Sequence, residues 1–201
     1  MKTLATLEPL TKRLLEIQRI NSAASVLSWD QETYMPAGGG EARAEQIAVL
    51  QGLAHQKLVS TEIEQLLLQW VDPSTGVAYE QPGDQWDEPS RSLLREVWRD
   101  FSRAKKLPSE FVVRLGRECS LAQQVWAEAK DQNKFSMFLP NLRTVLSLKR
   151  EEAQYLGYKD SPYDALLDIY EPGSTIAALK PLFAQLKARL VPLLKKVIQS
   201  P

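Results

Sequence analysis

Apolar residues recur at helical spacing along almost the whole of this 201-residue chain, and no segment alternates as a half-buried strand would. Leu4, Leu7, Leu14, Ile17 and Ile20 share one face of a first predicted helix. A second, shorter helix is expected through "SAASVLSWDQET", stopping near Pro36. A third starts at the glycines 38–40 and carries Ile47, Leu50, Leu53 and Ala54 on its apolar stripe. The spacing of Ser60/Thr61 and Glu64 resembles a capping box and opens another helix. Further helices are predicted from Ser90 towards Lys106, from Ser109 to about Lys130 and from Phe138 to Tyr155, the last ended by Gly157. A final one crosses "TIAALKPLFAQLKARLVPLLKKVIQ", where Pro192 should introduce a kink. Residues 71–89, rich in Pro, Gly and Asp, form the one clear loop and are expected to be flexible. The predicted fold class is all-α: amphipathic helices joined by short turns, in a single helical region over 1–201.

Balanced charge narrows the partners. Lys+Arg and Asp+Glu number 25 each, so no basic excess argues for nucleic acid. No segment is apolar and long enough to span a membrane. The N-terminal stretch "MKTLATLEPLTKRLLEIQRI" spreads its charges throughout, which suits an amphipathic helix rather than a signal peptide. The expected location is the cytoplasm. The single cysteine, Cys119, cannot form an internal disulfide or a thiolate metal site alone.

Histidine usage restricts the chemistry further. His55 is the single histidine, whereas an H-E-x-x-H zinc helix needs two and a di-iron bundle needs a Glu-x-x-His on each of two helices. A helix-terminus or packing role is expected for His55. No G-x-S-x-G elbow occurs, and the triple glycine at Gly38–Gly40 lacks the Lys-Ser/Thr of a phosphate-binding loop. Asp30 and Glu32 stand two apart and do not face each other on a helix; Asp164 and Asp168 could share a face. Solvated helix faces and caps account for these acids more simply than catalysis. No catalytic, cofactor-binding or metal residue is assigned within the chain.

The most unusual stretch is "SWDQETYMPAGGGEARAEQ", Ser28 to Gln46. With its continuation to His55 it resembles the N-terminal signature of the carboxypeptidase Taq (M32) family of zinc metallocarboxypeptidases. Trp29, Asp30, Thr33, Met35, Pro36, Gly38, Arg43, Gln46 and His55 fall on that pattern. So do "LREVWRDFSRAKKLPSEF", "VWAEAKDQNKFSMFLPNL" and "PYDALLDIYEPGST", with Lys130 replacing a frequent arginine and Lys134 standing where an aspartate is usual.

The resemblance implies the N-terminal portion of an all-helical peptidase that removes C-terminal residues from peptides. It also implies that the zinc ligands and the substrate-recognition motifs of such enzymes lie outside the residues matched here. Zinc then belongs to the intact family and not to this chain, and peptide binding requires a completing C-terminal half. A non-catalytic helical scaffold or protein-interaction module is the alternative. Helices built to pack on a missing half are expected to expose apolar surface, with self-association into a homo-oligomer or marginal stability as the consequence. The signature itself reads as a structural joint. Trp29 is expected to be buried, at about 3–5 kcal/mol on truncation to alanine, with Asp30 and Thr33 bonded to nearby backbone or to Arg43.

Overall fold

A computed structural model describes residues 2–80 and 85–199. Among these residues there are eight α-helices and no strand. They are α1 (Glu8–Thr33), α2 (Gly40–Leu58), α3 (Thr61–Leu68), α4 (Glu88–Ala104), α5 (Ser109–Asp131), α6 (Phe135–Leu156), α7 (Pro162–Leu167) and α8 (Ile176–Ile198). Short 3-10 turns cover Leu4–Leu7 and Ala37–Gly39. The expected all-α class is what the chain adopts. The region read as one helical unit over 1–201 divides into two compact units, Met1–Leu148 and Lys149–Pro201.

The first correction concerns α1. The two helices expected between residues 4 and 33 form one over Glu8–Thr33, whose serines satisfy their hydroxyls inside it. Ser25 Oγ donates to the Asn21 carbonyl at 2.9 Å and Ser28 Oγ to the Ala24 carbonyl at 3.0 Å, each one turn back. The helix stops at Thr33, two residues before the Met35–Pro36 pair.

In the larger unit the core gathers Leu7, Leu10 and Ile17 with Ala54, Ile63, Leu67, Leu94, Val97 and Phe101. Of the stripe assigned to α2, Ile47 and Ala54 are buried, while Leu53 is exposed. Ser60 caps α3 by accepting from the Ile63 amide at 3.4 Å. Glu64, assigned to the capping box, instead pairs with Lys105 at the end of α4.

A second seam joins α2 to α5 through small residues. Ala44, Ala48 and Gly52 on α2 and Gly116 and Ser120 on α5 are all buried, and a Cβ on Gly116 would stand 3.6 Å from the Ala48 Cα. A Cβ on Gly52 would stand 2.5 Å from Val113 Cγ2, so the helices approach more closely than alanine at this position allows. Arg117 bridges the rim of the seam to Glu45 and, at 3.7 Å, to Glu41.

Residues 71–89, read as a flexible loop, include 81–84, which lie outside the described residues. Of the rest, Val71 and Trp86 belong to the core. Val71 and Ala78 form an antiparallel bridge, Lys2 and Trp86 a parallel one. Asp87 caps α4 by accepting from the Ser90 amide at 3.0 Å.

In the smaller unit, Ser161 caps α7 and Thr175 caps α8. Asp164 Oδ1 accepts from the Ile176 amide at 2.7 Å, tying α7 to the start of α8. Gly157 ends α6 at φ +79°, a backbone state that glycine adopts without Cβ strain. Helix α8 runs through both Pro181 and Pro192.

Candidate functional site

The signature residues stand at the joint between α1 and α2. As α1 closes, Thr33 Oγ1 donates to the Trp29 carbonyl at 2.8 Å, and the Tyr34 and Met35 amides both donate to the Asp30 carbonyl. Pro36 is extended (φ −59°, ψ 146°), and the following 3-10 turn delivers the chain into α2 at Gly40. The Met35 thioether stem packs over Gly39, where an added Cβ would lie 3.1 Å from Met35 Cγ.

Arg43 locks this angle. Its Nη2 lies 2.7 Å from Asp30 Oδ2, its Nη1 donates to the Leu27 carbonyl at 2.7 Å, and its Nε donates to Gln46 Oε1 at 3.2 Å. One planar guanidinium thus satisfies a carboxylate and a carbonyl on α1 while braced from its own helix. Its side chain keeps only 15% of its exposure. Of the two partners left open for Asp30 and Thr33, the Asp30 carboxylate takes Arg43 and the Thr33 hydroxyl takes backbone.

Sequence reasoning missed the ties from this joint to α5. Gln31 Nε2 donates to the Ser120 carbonyl at 2.9 Å and Gln31 Oε1 accepts from Ser120 Oγ at 2.8 Å. Gln123 Nε2 donates to Glu32 Oε1 at 2.6 Å, and Gln124 Nε2 donates to the Ala37 carbonyl at 3.0 Å. No local pattern reveals partners 87 to 91 residues away.

Trp29 is the second correction. It is 57% exposed and stacks edge-on against exposed Tyr34, with ring centroids 5.5 Å apart. The reason is helical phase. Trp29 follows buried Ala24 by five residues, which turns it about 140° away from the inward face.

His55 stands apart, at the far end of α2. It is buried, with Nε2 3.0 Å from the Ala104 carbonyl and Nδ1 3.1 Å from Ser109 Oγ. A carbonyl only accepts, so Nε2 donates to Ala104, and Nδ1 shares a hydrogen bond with the serine hydroxyl. The ring pins α2 to the break between α4 and α5, the packing role expected of it.

Among the described residues no three of His, Cys, Asp and Glu stand together as a metal would require, and both His55 nitrogens are taken. The described residues therefore do not fit a zinc centre. A cleft of about 260 Å³ borders α1, α2 and α3, but its charges neutralise one another: Arg13 pairs with Glu62 at 2.6 Å and Lys57 with Glu16 at 2.8 Å. The Lys57 ammonium, bonded to Glu16 and attracting it, holds that carboxyl below its ordinary range.

Comparison with known proteins decides what kind of joint this is. Residues 9–201 match the family model of carboxypeptidase Taq (M32) metallopeptidases. The chain belongs to the M32 family. Thermostable carboxypeptidase 1 of Pyrococcus furiosus is 34% identical to it over 195 residues, covering 97% of this chain and 37% of the relative. Carboxypeptidase 1 of Bacillus subtilis is 33% identical over 191 residues, covering 93% and 36%. The crystal structure of BsuCP superposes with a TM-score of 0.84 at 32% identity, over 94% of this chain and 36% of that one. The chain spans a little over one third of the length of these M32 relatives and corresponds to their N-terminal part. Trp29, Asp30, Thr33, Met35, Pro36, Arg43, Gln46 and His55 lie within the matched residues. Of these, Arg43 directly holds Asp30 and Gln46, and His55 belongs to a separate contact.

Proposed function

We propose that this chain is the N-terminal scaffold of a zinc-dependent metallocarboxypeptidase, which removes C-terminal residues from peptides, and that it is inactive without the remaining portion. The observation that carries this reading is the match of nearly all of this chain to little more than a third of each relative. Two structural facts support it: His55 is bonded to Ser109 and Ala104, and Arg43 is bonded to Asp30 across the signature joint. In this reading the helices wall the peptide groove, while metal and substrate residues come from elsewhere. A cytoplasmic location belongs to the same proposal, and cell fractionation tests it.

Complementation tests the activity. Co-expressing the full chain with the unmatched two-thirds of the Bacillus subtilis relative should release C-terminal residues from a peptide, when neither portion does so alone. An active C-terminal portion that gains nothing from this chain would instead favour a non-catalytic interaction module.

A further inference from the structure

Helix α8 shows a surface that the joint does not explain. None of its described residues is buried, although leucine, isoleucine, valine and phenylalanine supply much of it. Leu182, Phe183, Leu186, Leu190, Leu193 and Val197 fall within an arc of about 120° when projected at 100° per residue. All six are at least 47% exposed. The five cations after Glu171 are Lys180, Lys187, Arg189, Lys195 and Lys196, and no acid accompanies them. Lys180 and Lys187 flank one edge of the arc, and Arg189 and Lys196 flank the other.

We infer that α8 is a docking helix for a protein surface of defined chemistry: an apolar groove bordered on both sides by carboxylates. This rests on the proposed function, since the groove is assigned to the remaining two-thirds of the peptidase. Three observations select that occupant. The stripe is wide enough to bury one helix face, and its flanking cations need partners of opposite sign in any dry contact. The matched segment extends through α8 to residue 201, so the helix has counterparts inside chains nearly three times this length, with ample polypeptide to cover it. A second copy offering its own α8 would set four flanking positive charges against four, which disfavours pairing of like helices.

The test is capture. The full chain, affinity-tagged, is co-expressed with the untagged unmatched portion of the Bacillus subtilis relative. A one-to-one complex is expected. Leu186→Asp with Leu190→Asp should lower capture at least tenfold. Lys187→Glu with Arg189→Glu should weaken it several-fold and flatten its dependence on salt. These side chains are exposed, so circular dichroism of the variants should match the parent. Capture that ignores the α8 substitutions overturns the inference. So does failure to capture accompanied by self-association, or by sedimentation with phosphatidylcholine–phosphatidylglycerol vesicles. A complex that forms through α8 but releases no C-terminal residue leaves the docking helix standing and removes the peptidase reading. Activity restored regardless of the α8 changes does the reverse.

Discussion

The guanidinium of Arg43 meets the carboxylate of Asp30 at 2.7 Å and the carbonyl of Leu27 at the same distance, so one side chain of α2 fixes the end of α1. Substituting Arg43→Ala leaves a carboxylate and a carbonyl without this donor in a largely covered position. The expected loss is about 2–3 kcal/mol, measured by urea unfolding. Arg43→Lys should recover only part of it, because an ammonium lacks the planar fork that serves both acceptors. Full recovery by lysine would mean that charge alone holds the joint.

Trp29→Ala should change stability by no more than about 0.5 kcal/mol, since the ring lies outward against Tyr34. Denaturation midpoints of the two proteins should therefore coincide. A loss of several kcal/mol would place the indole in a core that this fold does not contain.

Close packing of α2 on α5 predicts different outcomes for two glycines. Gly52→Ala drives a methyl to 2.5 Å from Val113 Cγ2, a branched side chain held in the seam. The expected cost is about 1–2 kcal/mol, because overpacking outweighs the gain in helix propensity. Gly116→Ala meets chiefly the amide end of Gln51, which can swing aside, with the Ala48 Cα at an ordinary 3.6 Å. That variant should be near neutral. Val113→Ala should rescue Gly52→Ala in a double-mutant cycle.

Acid sensitivity should include a contribution from Glu16. Its carboxyl titrates lower in the folded chain than when unfolded, because Lys57 bonds to it and attracts it. A lowered folded value contributes stability above the ordinary glutamate pKa, and that stability is lost as pH falls through the folded value. Lys57→Met should therefore flatten the acid limb of the stability–pH curve. Glu16 is exposed, so the effect is small and best read by comparing the two profiles.

Several features were legible in the sequence for local reasons. Helical period identified the class, and Gly157 and Ser60 marked a stop and a start that follow from backbone geometry. Arg43 could be set down as one of two possible partners for Asp30, because both residues flank one short turn, and the structure selects it. Trp29 was misplaced because an aromatic ring argues for burial by its area, whereas helix phase relative to Ala24 decides its direction. The two helices expected at the start of the chain are continuous as α1, where Ser25 and Ser28 bond to carbonyls one turn back. Gln31 and Ser120 form a reciprocal pair across 89 residues, and no short window of sequence holds that information.

The most direct test of the account is a C-terminal release assay on the purified chain alone, with zinc content measured in the same sample. A scaffold whose only histidine is spent on Ser109 and Ala104 should release nothing, retain no stoichiometric zinc and show no rise in Tm when zinc is added. Release of C-terminal residues by the chain alone, with one tightly bound zinc per molecule, would contradict the account.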